Sequence, residues 1–196
     1  MPRRPRRRGP SPTQFARRRQ TRRLLIALVV LAGLLGSFFL GRESAEPGAA
    51  PRPGDWDRYH GRSFEVVRVI DGDTLDVAAP DGDDPHTRIR LWGVDTPEKA
   101  LFGDPAEPFA DEATELTRRL TLGREVTLRL EEDRLRGHYG RLLAHVELPD
   151  GTLLGRRLVA AGLAESDERW KHSHLEAFEQ VEARVRKENR GIWAER

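Results

Sequence analysis

The chain has 196 residues, with 34 Lys and Arg against 32 Asp and Glu, 37% hydrophobic residues and no cysteine. This length accommodates one ordinary domain with additional segments. The lack of cysteine excludes a disulfide scaffold, a thiolate zinc site and a cysteine nucleophile.

The excess positive charge lies at the amino terminus. Residues 1–23 hold ten arginines and no acidic residue, whereas the remaining residues carry 24 basic against 32 acidic side chains, a net charge of −8. The basic character therefore belongs to a tail, which we expect to be cytoplasmic, and not to the folded part of the chain.

An uncharged apolar run follows the tail over residues 24–40. At 1.5 Å per residue the run spans roughly 26 Å, enough to cross a bilayer core. The arginines before it place the amino terminus in the cytoplasm, so it predicts a single-pass transmembrane anchor with the following chain outside the cell. A signal peptide that is cleaved to release a secreted protein is the alternative. It is disfavoured because the run is long and no small-residue cleavage site follows.

Residues 41–60 are predicted to be a linker, because their first part is rich in Pro, Gly and Ala and offers few apolar side chains to pack. The folded domain is predicted over residues 61–196. Trp56 and Tyr59, near the end of the linker, fit either packing on that domain or a position at the membrane interface.

The domain combines short alternating strands with amphipathic helices. A hairpin turns at Asp71-Gly72, and the apolar periodicity then predicts the order β-β-β-α-β-β-α-α. The predicted strands cover 64–70, 74–77, 87–94, 126–130 and 142–148, and the helices lie at 109–120, 154–161 and 175–185. Because no βαβ alternation occurs, this order predicts an α+β, mainly β fold: a closed five-stranded barrel with about three helices.

Four acidic side chains follow the ends of predicted strands. Asp71 and Asp73 flank the first turn, and Asp95 and Glu98 follow the third strand. Carboxylates that converge from two strand ends suit a hard cation such as Ca²⁺. Taken singly, each also fits an ordinary turn.

Two arginines add a possible anion site to these carboxylates. Arg90 lies five residues before Asp95, and Arg141 begins another strand. Guanidinium groups near a bound cation suit the negative charge that a phosphodiester gathers in its transition state. Glu98 could then take a proton from attacking water. In the alternative reading, Arg90 and Arg141 only form structural salt bridges with Asp95 and Glu98.

Four sequence blocks resemble the staphylococcal nuclease (thermonuclease) family in order and spacing. The blocks are VIDGDT at 69–74, IRLWGVDTPE at 89–98, YGR at 139–141 and NRGIW at 189–193. The resemblance covers residues 62–195. It implies a calcium-dependent phosphodiesterase on an oligonucleotide-binding barrel that cuts DNA and RNA to leave 3′-phosphate ends.

By matching positions, the resemblance also implies the roles of individual residues. Asp73, Asp95 and the Thr96 carbonyl would bind one Ca²⁺, with Asp71 near the ion but not bound to it. Glu98 would position or deprotonate the attacking water. Arg90 and Arg141 would hold the phosphate, and Tyr139 would contact a substrate phosphate.

The sequence departs from the family in the loops around these blocks. Gly137 and His138 stand where the family has an acidic and a basic residue, and Arg134 and Arg136 could partly replace the lost phosphate contact. Trp170 could stack on a base, or instead pack against the last helix. The pair His172 and His174 is expected to be solvent-exposed rather than metal-binding. The turn that contains Asp81, Asp83 and Asp84 is likewise expected to be solvated.

These features predict a monomeric nuclease at the outer face of the cytoplasmic membrane, acting on DNA or RNA and preferring single strands. Because the domain is acidic, attraction of the substrate must be local, from the bound cation and from Arg88, Arg90, Arg134, Arg136 and Arg141. The alternative is a non-catalytic barrel that binds single-stranded nucleic acid or a protein. The retention of Arg90, Glu98 and Arg141 favours the enzyme.

Overall fold

The structure is a computed structural model of the chain and describes residues 50–100 and 105–194. The strands are β1 Ser63–Val69, β2 Thr74–Val77, β3 Thr87–Leu91, β4 Val94–Asp95, β5 Glu125–Arg129, β6 Leu142–Glu147 and β7 Glu165–Ser166. The helices are α1 Asp55–Tyr59, α2 Ala110–Thr121, α3 Leu154–Ala161 and α4 Leu175–Lys187, followed by a 3₁₀ turn at Gly191–Trp193. The predicted tail and anchor lie outside the described residues, among which no helix could cross a membrane.

Five strands close into a barrel, as the sequence predicted, and their order in the barrel is β1-β2-β3-β6-β5. All neighbours are antiparallel except β3 and β6, which run parallel with Ile89 opposite Leu142. Alternate residues of the strands point inward, so that Val66, Leu75, Ile89 and Leu128 are fully buried. Strand β3 carries Arg90, and Arg141 immediately precedes β6. Because β3 and β6 pair, the two arginines belong to neighbouring parts of the sheet.

The three predicted helices are present and bury the apolar faces that their spacing indicated. Helix α4, for example, buries Phe178, Val181 and Val185. Helix α3 ends at Gly162, where a Cβ atom would lie 2.7 Å from the carbonyl oxygen of Arg190. Only glycine permits this close approach between the end of α3 and the chain that follows α4.

The third predicted strand is interrupted. Strand β3 ends at Leu91, and Gly93 adopts a positive φ of 76° that turns the chain before β4 begins at Val94. Strand β4 then leaves the barrel and pairs with β7 in a separate two-stranded sheet. This turn directs Asp95 and the residues after it toward the hairpin at Asp71.

Part of the predicted linker is folded. Residues 55–59 form α1, and Tyr59 is fully buried, with its hydroxyl 2.9 Å from the Thr87 hydroxyl of β3. Asp55 is 3% exposed. Tyr59 thus packs on the barrel, and the folded part of the chain begins before residue 61.

Candidate active site

The hairpin between β1 and β2 contacts the segment after β4. Asp73 is 5% exposed, and its Oδ2 accepts hydrogen bonds from the Thr96 backbone N–H at 3.0 Å and from the Thr96 hydroxyl at 2.9 Å. A Cβ atom on Gly72 would lie 2.7 Å from the Thr96 hydroxyl oxygen, so the close contact requires glycine at the turn. The two loops that carry the acidic residues therefore meet, as their positions at strand ends suggested.

Arg90 bridges the two loops from β3. Its Nη1 forms an ion pair with Asp73 Oδ2, and its Nη2 donates to Asp95 Oδ1 at 2.7 Å. The Arg90 side chain is 14% exposed, whereas that of Asp95 is 47% exposed. Asp73, Arg90 and Asp95 thus form one cluster that opens to solvent at Asp95.

Two further carboxylates lie in the electric field of this cluster. Asp71 accepts the Asp73 N–H at 3.1 Å, and burial raises the pKa of Asp71 although Thr74 and Arg90 act in the opposite direction. Glu98 is exposed overall, but the protein atoms around its carboxyl desolvate it, and this desolvation and then the charge of Asp71 raise its pKa. A carboxylate with a raised pKa is a stronger base, which suits proton transfer from water.

Arg141 remains available to an anion. It lies immediately before β6, its Nη1 is 3.4 Å from the Thr74 hydroxyl, and no carboxylate of the described residues lies within ion-pair distance of it. Burial and then the charge of Arg90 lower its pKa. Together with Tyr139, which is 79% exposed, Arg141 lines an open groove that also includes Asp71 and Thr74.

The model of the staphylococcal nuclease homologue family matches residues 88–195. The chain belongs to this family. It is 33% identical over 134 residues to a thermonuclease of Staphylococcus hyicus, covering 68% of this chain and 76% of that protein. It is 35% identical over 136 residues to an uncharacterized endonuclease of Escherichia coli, covering 69% and 78%. It is 41% identical over 105 residues to a thermonuclease of Staphylococcus intermedius, covering 53% and 59%.

Membership of the staphylococcal nuclease family makes the chain a nuclease, an enzyme that hydrolyses phosphodiester bonds, and the family is metal-dependent. The donor set of this nuclease fits a hard cation, because Asp73, Asp95 and the Thr96 carbonyl offer only oxygen. The prediction of an enzyme is confirmed.

Arg136 does not contribute a phosphate contact. It is 1% exposed and makes two hydrogen bonds to Asp55, at 2.8 and 2.7 Å, and two to Asp81, at 2.7 and 3.1 Å. Its Nη1 also donates to the Gly140 carbonyl at 2.8 Å. The suggestion that Arg136 replaces a basic phosphate contact is therefore wrong. The expectation of a merely solvated turn at Asp81 is also wrong, because Asp81 pairs with the buried Arg136.

Other arginines of this nuclease are also engaged. Arg88 donates to Asp76 at 2.9 Å on the outer surface of the barrel. The guanidinium carbon of Arg134 lies 3.9 Å from the ring centroid of Trp170. One face of the half-buried Trp170 ring is thus covered by Arg134, so a base could stack only on the other face.

His172 and His174 are not the exposed pair that their spacing suggested. Both are half-buried, and their ring centroids lie 5.0 and 4.7 Å from that of His145, a buried residue of β6. The rings pack against Phe178 of α4. Sequence spacing gave no signal of this cluster, because His145 is remote from the other two along the chain.

Proposed function

We propose that this nuclease is calcium-dependent and cleaves DNA and RNA, preferably single-stranded, to products that end in a 3′-phosphate. The observation that carries the proposal is the meeting of Asp73, Asp95 and Thr96 around Arg90, next to a groove that presents Arg141. One Ca²⁺ would be held by the two carboxylates and the Thr96 carbonyl. When bound, it would supply positive charge to a phosphate oxygen.

The remaining residues then have distinct tasks. Arg90 shares its carboxylate partners with the cation site, so its guanidinium lies at the edge of that site and can turn to a phosphate oxygen. Arg141 approaches the phosphate from the groove, where Tyr139 gives a second contact. Glu98 accepts a proton from the water that attacks phosphorus. The negative charge of Asp71 raises the pKa of Glu98 and so makes it a stronger base.

The test uses the full-length protein and a single-stranded DNA, with Ca²⁺ or with a chelator. We expect cleavage only with Ca²⁺, and a loss of about 10²-fold or more in kcat for Glu98→Gln and for Arg90→Ala. Arg129→Ala is the matched control, because Arg129 pairs with Glu147 on the exposed surface of the barrel at 2.9 Å.

Three results would each overturn a different part of this proposal. Cleavage that is unaffected by chelation refutes the calcium dependence. Cleavage by Glu98→Gln at the wild-type rate refutes the assigned base even if calcium is required. Products that can be extended by a polymerase without prior phosphatase treatment would show that they do not end in a 3′-phosphate.

We also propose that the nuclease domain is monomeric and is held outside the cell by residues 24–40, with the arginine tail inside. Support comes from the length of the apolar run and from the arginines that precede it. Mass measurement of the membrane-extracted protein tests the anchor. A mature chain that begins beyond Gly41 would instead show secretion after cleavage of a signal peptide.

A further inference from the structure

A second group of potential metal ligands lies apart from the active-site carboxylates. Glu131 follows β5, His145 lies on β6, and His172 precedes α4. Each side chain brings one ligand atom to within 4.8 Å of the ligand atoms of the other two. His145 is 3% exposed, and the other two are half-buried.

We propose that Glu131, His145 and His172 bind one transition-metal ion of the zinc class, at a site separate from the catalytic cation. Two imidazoles and one carboxylate form a ligand set that zinc accepts readily, with water in the fourth position. The catalytic cluster, by contrast, offers only oxygen and suits a hard cation. Ligand chemistry therefore separates the two sites, and this inference does not depend on the proposed function.

The pair Glu131 and His145 already has the spacing of two zinc ligands. Glu131 Oε1 lies 3.1 Å from His145 Nε2. In a tetrahedral site with bonds of about 2.0–2.1 Å, neighbouring ligand atoms are roughly 3.4 Å apart. The backbone N–H and hydroxyl of Ser173 donate to the same Glu131 oxygen, at 3.0 and 2.6 Å, and so orient the carboxylate.

His172 provides the third ligand atom, a nitrogen. Its Nε2 is buried and has no hydrogen-bond partner among residues 50–100 and 105–194. A Cβ atom on Gly93 would lie 2.3 Å from this nitrogen, so the glycine at the turn makes room for the ring. Buried polar atoms without partners are costly, and a metal ion would remove that cost.

Metal binding at His172 requires a change of tautomer. Nδ1 now accepts a long hydrogen bond of 3.3 Å from the His174 backbone N–H. With a metal on Nε2, Nδ1 must instead carry the proton, so only this weak contact is lost. His145 requires the same change, because its Nε2 now donates to the Glu131 carboxylate at 3.1 Å and gives up that proton when a metal binds there.

The site would fasten a segment beside the active site. Glu131 and His145 belong to the barrel strands and their connection, whereas His172 ends the segment that carries Arg169 and Trp170. Arg169 lies 3.5 Å from Asp95 Oδ2. A metal bound by all three ligands would therefore hold this segment, and the contact to Asp95, against the barrel.

The test is a titration of metal-stripped, full-length protein with Zn²⁺ alone and with Co²⁺ as a spectroscopic probe. We expect one equivalent of Zn²⁺ to bind, and the visible absorption of low-symmetry Co²⁺ to develop in parallel. His172→Asn should weaken binding by about 100-fold or more, since even residues that only support a metal ligand account for about 10–100-fold. Zn²⁺ should raise the Tm of the wild type but not of this variant.

Two variants serve as controls. His86→Asn removes a histidine from the β2–β3 connection, and Asp95→Asn alters the catalytic cluster; both should retain the zinc affinity of the wild type. Because His145→Asn alters a buried residue and can fail to fold, His172→Asn decides the matter. The proposal is overturned by a lack of saturable Zn²⁺ binding, by wild-type affinity in His172→Asn, or by loss of binding in Asp95→Asn.

Discussion

Arg136 offers the most direct test of how the amino-terminal part of the domain supports the active site. Its guanidinium is buried between Asp55 of α1 and Asp81 of the β2–β3 turn, and it also donates to the Gly140 carbonyl. Replacement by methionine keeps an apolar stem of similar length but removes all of these hydrogen bonds. Asp55 and Asp81 then lose their guanidinium partner, and Asp55 is only 3% exposed.

The expected cost follows from that uncompensated charge. Removing one partner of a buried ion pair destabilises a protein by about 3–5 kcal/mol. Asp55→Asn should be far less harmful when Arg136 is already methionine, because the amide removes the stranded charge. The double-mutant cycle should therefore give a coupling energy of about 2 kcal/mol or more. Activity should also fall, since Gly140 belongs to the turn that positions Arg141.

Urea unfolding monitored by tryptophan fluorescence measures these free energies. Arg129→Met is the control, because its pair with Glu147 is solvent-exposed and should contribute about 0–1 kcal/mol. The reasoning is refuted if Arg136→Met costs less than about 1 kcal/mol. It is equally refuted if the effects of Arg136→Met and Asp55→Asn simply add.

Three other predictions concern the active site and the histidine cluster. Gly72→Ala should raise the Ca²⁺ concentration needed for half-maximal cleavage, because its Cβ would lie 2.7 Å from the Thr96 hydroxyl oxygen; an unchanged calcium dependence would contradict this. In chelator, the pKa of the Glu98 carboxyl should lie above the ordinary 4.5 of a glutamate, because burial and the charge of Asp71 raise it, and an NMR titration that finds it at or below 4.5 would contradict this. His145 should make the protein less stable in chelator as the pH decreases below 6.5, because the unfolded imidazole takes up a proton that the folded ring, whose pKa is lowered by burial, refuses. Urea unfolding across that pH range should show that His145→Asn takes up one proton fewer on unfolding than the wild type does.

The barrel could be predicted from sequence because each strand carries one apolar face. The alternation of Leu142, Ala144 and Val146, for instance, indicates a strand wherever it pairs. The parallel pairing of β6 with β3 and the short pairing of β4 with β7 had no such local signal. They depend on where the chain returns after distant turns, which periodicity does not encode.

Helix α1 and the histidine cluster were missed for a shared reason: distant residues stabilise them. Five residues do not form a stable helix alone, and α1 depends on Tyr59 packing on the barrel and on Asp55 pairing with Arg136. His145 alternates with inward apolar residues and so resembles an outward polar side chain. That outer face of β6 is covered by α4, whose Phe178 ring lies 6.1 Å from His145.

The structure changes the account of how an acidic domain attracts a polyanion. Several arginines that sequence alone offered for this purpose are engaged elsewhere: Arg136 in the core, Arg88 with Asp76, and Arg134 on Trp170. Arg141 is the one that faces the groove without a carboxylate partner among the described residues. Arg90 is neutralised by Asp73 and Asp95 as long as these carboxylates have no other cation. Beyond Arg141, positive potential for a phosphate therefore depends on cation binding, which would couple part of the substrate affinity to the metal.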